Sequence, residues 1–108
     1  MIEILNLCAQ KPIYPYDIKV DRSSILGNPF HMRDESGRKH VCELYKERFY
    51  KILAHAPTDR EATELNRLKA LYKKYNKLRL FCWCAPKQCH AEIIKEYIEN
   101  ETTIQSHT

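Results

Sequence analysis

The amino-acid pattern predicts a small three-layer-like α/β domain with a short, mainly parallel sheet and three helices. Three observations carry that expectation. Two strand-like apolar runs, one near residue 4 and one near residue 80, are separated by two stretches of helical periodicity, and so long a crossover joins parallel strands rather than a hairpin. A third helical stretch follows the second run. A chain of 108 residues suits one core, since two would leave each half too small to bury enough surface. A single domain over 1–108 is therefore expected.

Ile2, Ile4, Leu5 and Leu7 open the chain as a buried strand at residues 2 to 7, ended by Gln10-Lys11-Pro12 and the Tyr-Pro-Tyr at 14 to 16. Asp17-Ile18-Lys19-Val20 alternates and predicts a short edge strand. From Arg22 to Gly37 the periodicity is lost, giving a structured loop longer than loops usually are without a functional reason. Val41, Leu44, Tyr45, Phe49, Ile52 and Leu53 then recur at helical spacing, with Ser36 placed to cap the helix and Pro57 to stop it. Thr58 and Glu61 match a capping box for a second helix from about 59 to 75, ended by Asn76. Leu78 to Cys84 alternates with both faces apolar and reads as a buried strand, terminated by Pro86. Ile93, Ile94, Tyr97 and Ile98 mark a third helix from about 88 to 99, and the polar tail over 101–108 is expected to fray.

The composition, 44% hydrophobic and 30% charged with only two glycines, is that of a folded chain and not of a disordered one. A net charge of +4 favours anionic partners only weakly. The dense basic run of Arg67, Lys69, Lys73, Lys74, Lys77 and Arg79 reads first as a solvated helix face and second as a nucleic-acid patch. Five cysteines are an odd number and no secretory leader pattern precedes them, so a reducing, cytoplasmic setting is expected over a disulfide framework. No apolar run reaches the roughly 20 residues that span a bilayer.

The chemistry-bearing residues gather in Cys82-Trp83-Cys84-Ala85-Pro86-Lys87-Gln88-Cys89-His90. Cys82 and Cys84 stand two apart on a strand and share a face; as small, soft side chains they suit a core. Cys89, in the first turn of a helix and beside Lys87, would feel a helix dipole and a cation, both of which lower a thiol pKa and favour a nucleophile. His90 shares a helical face with Ile94 and Tyr97, so it is either a core histidine or an acid–base group facing the crevice at the strand's carboxyl end. The helix start, with Lys87, would suit an anion. Zinc held by Cys82, Cys84, Cys89 and His90 is the alternative; the spacing is poor for a tetrahedron, and no cofactor is expected. Arg22, Ser23, Ser24, Gly27 and Asn28 mix a fork-shaped cation, hydroxyls and flexible backbone that would clasp an anion, although turns have the same composition.

Arg22 to Phe30, read as Arg-Ser-Ser-Ile-Leu-Gly-Asn-Pro-Phe, followed by Leu80-Phe81-Cys82-Trp83-Cys84-Ala85-Pro86 and Cys89-His90, resembles the DUF4326 family of uncharacterised proteins, frequent in phages and bacteria. The resemblance covers about residues 18 to 98. The second motif is also similar to the strand, turn and Cys-His helix start of the DUF488 family. The resemblance implies that the arginine loop and the Cys-His helix start form one site, and it brings no established reaction. The residues point to a phosphorylated or nucleotide-like small molecule held by Arg22, Ser24 and the helix start, with His90 as acid or base and Cys89 as nucleophile if the protein is an enzyme. The rivals are a zinc-stabilised interaction module and a phage accessory protein that binds a host protein or nucleic acid.

Overall fold

A computed structural model describes residues 1–56, 58–84 and 87–106, with side chains through Glu101. Three strands, β1 (Ile2–Asn6), β2 (Asp17–Lys19) and β3 (Leu78–Cys82), form one sheet in the order β1-β3-β2. Both pairings are parallel, Ile2 opposite Leu78 and Asp17 opposite Arg79, as the long crossover predicts. The helices are α1 (Arg38–His55), α2 (Arg60–Tyr75) and α3 (Ala91–Ser106), preceded by a short 3₁₀ turn at Glu35–Gly37. This is the expected small α/β domain. α3 packs on β1 and β3, α2 packs on β3 and α3, and α1 packs on α2.

Because β3 is central, both of its faces are covered: Leu78, Leu80 and Phe81 are fully buried and Cys82 nearly so. Ile2, Val20, Leu65, Leu68, Ile94 and Ile98 complete that core. Full burial of one such aliphatic side chain stabilises by roughly 1.5–3 kcal/mol. β3 stops at Cys82, two residues short of expectation, because its neighbours run out. Val20 donates its N–H to Phe81 O and Leu7 to Cys82 O, each at 2.9 Å, and then both flanking chains turn away. Trp83 and Cys84 therefore leave the sheet. Trp83 is 57% exposed.

Three helix starts differ from expectation, each for a local reason. Ser36 lies inside the 3₁₀ turn, where its N–H donates to Asp34 Oδ1 at 2.9 Å, and Gly37 stands at the α1 N-cap without a side-chain bond. α2 is capped by Asp59, whose carboxylate accepts from Glu61 N at 2.9 Å, and not by Thr58. α3 begins at Ala91 rather than 88, and it runs to Ser106 where a frayed tail was expected. Asn76 ends α2 as expected, adopting the left-handed conformation (φ 56°) that an asparagine tolerates. Pro57 and Pro86, expected to end a helix and a strand, lie outside the described residues.

Candidate functional site

The loop after β2 is organised around Asp21, a residue the sequence reading passed over. Ser23 Oγ donates to Asp21 Oδ1 at 2.7 Å, Ser24 Oγ donates to Asp21 O at 2.7 Å, and Trp83 Nε1 donates to Asp21 Oδ2 at 3.1 Å. Burial works against the charge on this carboxyl. The bonds from Ser23 and Trp83, with Lys19 nearby, outweigh it and hold the pKa below the usual range. A Cβ on Gly27 would lie 2.3 Å from Asp21 O and 2.7 Å from Arg22 Cα, so this turn closes only around glycine. The two serines and Gly27 thus build the loop and do not present free groups to a ligand. The signal was present as Asp-x-Ser-Ser, a composition that folds back on its own backbone.

Asn28 is buried and spent at both ends: Nδ2 donates to Val41 O at 3.2 Å and Oδ1 accepts from Phe30 N at 2.9 Å. Arg22 is exposed. Its guanidinium meets His31 Nδ1 through one terminal nitrogen and Phe30 O at 3.3 Å through the other, leaving further donors of its five.

At the other segment, Cys89 stands two residues before the first residue of α3. Its N–H donates to Glu92 Oε2 at 2.9 Å, its carbonyl accepts the Glu92 N–H at 3.0 Å, and its sulfur accepts the Ala91 N–H. The Cys89, Ala91 and Glu92 N–H groups expected to be free are therefore taken, and a carboxylate already sits beside them. The Cys89 pKa moves opposite to the expected direction. A hydrogen bond with the Cys82 thiol and then burial raise it, outweighing the helix start, while Lys87 is turned to Glu35 Oε1 at 3.3 Å. Cys89 remains a thiol. No disulfide links the five cysteines.

His90 is 6% exposed and packs its ring against Tyr45, with centroids 5.0 Å apart. Nε2 bonds Val20 O, and Nδ1 lies 3.5 Å from Cys89 Sγ. Burial pushes its pKa down, so the neutral ring donates from Nε2 to a carbonyl and offers Nδ1 to the thiol. Arg38, at the start of α1, was not singled out either. It holds Glu35 through bonds of 2.7 Å from Nε and Nη2, donates from Nη1 to Gln88 O at 3.0 Å and reaches the Cys84 sulfur. Its guanidinium in turn holds the Glu35 carboxyl down at about 2. The sign was legible: the first turn of α1 carries cations and no acid, against the preference of the helix dipole.

These residues enclose a cavity of about 130 Å³ at the carboxyl end of β3, walled by Arg22, Asn28, Arg38, Cys42, Trp83 and the four residues Cys82, Cys84, Cys89 and His90. Ser23, Ser24, Gly27 and Lys87 are not on its wall. A larger depression of about 540 Å³ is lined by α1 alone, from His40 to Tyr50, and gathers no polar groups from separate elements. The chain matches the family described as "Domain of unknown function (DUF4326)" over residues 6–100, wider than the span expected from the two motifs. This chain belongs to the DUF4326 family. No curated protein and no solved structure matches it. In this DUF4326 domain, both motif segments line one cavity although some fifty residues separate them. Among the described residues, no group of three or more His, Cys, Asp or Glu side chains is arranged to hold a metal ion, and no helix is long and apolar enough to cross a membrane.

Proposed function

We propose that this domain binds a phosphorylated, nucleotide-like small molecule at the cavity between the Arg22 to Phe30 loop and the Cys89-His90 helix start. The observation that carries the reading is the shared cavity, with the spare donors of Arg22 and an exposed indole on its wall. Ligands of parallel sheets bind beyond the carboxyl ends of the strands, where this cavity lies. Its volume decides how much of a ligand enters. About 130 Å³ holds roughly four waters, well under the ~300 Å³ of sites that engulf a whole nucleotide. A phosphate or carboxylate group enters against Arg22, and the rest of the molecule lies outside, with its ring on Trp83, whose tilt Asp21 fixes. A protonated Cys89 and a neutral His90 favour binding over nucleophilic catalysis. On this reading the protein works in the cytoplasm, that of a host if it is phage-encoded.

Thermal melts with graded nucleoside monophosphates and orthophosphate test it. The nucleotides should raise the melting temperature with concentration, by about 2.7 kcal/mol of stability at a hundred times Kd, and orthophosphate should do so more weakly. Arg22→Ala should reduce the response while melting near the wild type without ligand, since its side chain is exposed, whereas Trp83→Ala should reduce the response and also lower the melt by up to about 1–3 kcal/mol, because it takes the indole N–H from buried Asp21. A wild type that ignores the whole panel ends the reading, and stoichiometric zinc in a native mass spectrum would replace it with the zinc-stabilised module.

A further inference from the structure

A second surface lies at the opposite end of the sheet, where the strands begin. Tyr14 and Tyr16, just before β2, stack with centroids 5.2 Å apart and planes 15° from parallel. Tyr75, the last residue of α2, tilts against Tyr16 at 5.8 Å. Tyr14 and Tyr75 are 46% and 36% exposed. Three cations sit over these rings: Lys77 at 5.6 Å from the Tyr16 centroid, Lys74 at 5.3 Å from Tyr75, and Arg79 at 5.5 Å from Tyr14. The cluster is assembled from two segments far apart in sequence, 14–16 and 74–79, so the fold brings it together.

The two acids nearby neutralise it only in part. The Asp17 carboxylate is fully buried, accepts the Ile13 and Tyr14 N–H groups, and holds Arg79 at 3.4 Å. Arg79 also donates to Gln10 Oε1 at 2.5 Å, so it stiffens the floor beneath Tyr14. Glu3 meets Lys77 at 3.5 Å, a half-exposed pair that solvent and salt weaken. Lys74 has no ion pair among the described residues, and Lys77, whose pair with Glu3 salt loosens, joins it in facing an incoming charge.

Part-exposed aromatic rings with ammonium groups close by match one chemistry well. Unpaired bases stack on such rings, and the lysines follow the phosphates between them. A duplex hides its base faces, and an acidic peptide uses the cations but not the rings. We propose that this aromatic and basic patch binds single-stranded nucleic acid. The proposal is independent of the cavity, from which the length of β3, roughly 16 Å, separates it.

Fluorescence anisotropy with the full chain and labelled twelve-nucleotide oligo(dT) and oligo(U) tests it, against a duplex of equal length and polyglutamate as competitors. The single strands should bind at least about tenfold tighter than the duplex, with a log–log salt slope of about −1 to −2 for two phosphate contacts. Tyr14→Ala and Tyr75→Ala, each with a wild-type melt, should weaken binding about five- to a hundredfold, the worth of one stacked base. Lys74→Glu should weaken it and flatten the salt slope. Equal affinity for the duplex, full displacement by polyglutamate, or unchanged binding in both tyrosine variants would overturn the proposal. Binding lost in Arg22→Ala but kept in Tyr75→Ala would move the oligonucleotide to the cavity and overturn it as well.

Discussion

At the carboxyl end of β3, Asp21, Asn28 and His90 are buried polar residues, and each is committed to partners within the protein. At the amino end, the Asp17 carboxylate is buried against Arg79, but the Tyr14 and Tyr75 rings beside it are exposed. A buried donor or acceptor left unpaired costs about 1–3 kcal/mol, so the first region must be assembled almost completely or not at all. The second tolerates change side chain by side chain. The difference teaches that one strand supports a pre-organised pocket at one end and an adaptable surface at the other, and that variants should separate the two.

The largest effect belongs to the strand they share. Leu80→Ala opens a void in the centre of the sheet and should cost about 2–5 kcal/mol by urea or thermal unfolding, weakening both ends together. Loss of only one end would show that the strand does not couple them. Gly27→Ala comes next, because its methyl meets Asp21 and Arg22 backbone and the loop must shift; about 1–3 kcal/mol is expected, with oligonucleotide binding at the amino end intact.

Acid sharpens the comparison further. Burial depresses the His90 pKa below its ordinary 6.5. As pH falls through 6.5 the unfolded chain takes up a proton there that the folded chain refuses. Stability from this group is therefore complete above pH 6.5 and declines below it, until the lowered folded pKa is reached, by at most about 1.4 kcal/mol per pH unit. Melts between pH 7.5 and 5.5 should show that decline in the wild type and a flatter profile in His90→Gln. An equal slope in both would mean that His90 is not the group refusing the proton. The smallest effect should be that of Tyr75→Ala at the exposed end, within about 0.5 kcal/mol of wild type.

The sheet was legible in the sequence because its information is local. Leu78 to Cys82 and Ile2 to Asn6 are too apolar to lie elsewhere, and the helical stretch between them dictated parallel pairing. The helix starts were less legible. Asp34 and Ser36 before α1, and Thr58 and Asp59 before α2, are pairs of capable caps one or two residues apart, and the choice falls to the 3₁₀ turn and the chain path. At the site, the two motif segments could be read as partners, but the roles within them could not. Ser23 and Ser24 have the composition of an anion clasp and of a turn alike, and only the position of the Asp21 carbonyl distinguishes these. The helix start alone predicts an activated Cys89, and the thiol of Cys82, seven residues earlier in sequence and brought beside it by the fold, reverses that direction.

The strand order β1-β3-β2 also has a kinetic meaning. The central strand is the last to appear in the chain, so residues before Leu78 hold two strands whose only partner has yet to arrive. Every rung of the sheet closes a long loop, which makes folding slow relative to a helical bundle of this size. Insertion of β3 completes the sheet and carries Cys82, Trp83 and Cys84 to the loop around Asp21 in the same event. A nascent or truncated chain ending before β3 exposes two bare strand edges, and those are the species most prone to aggregate.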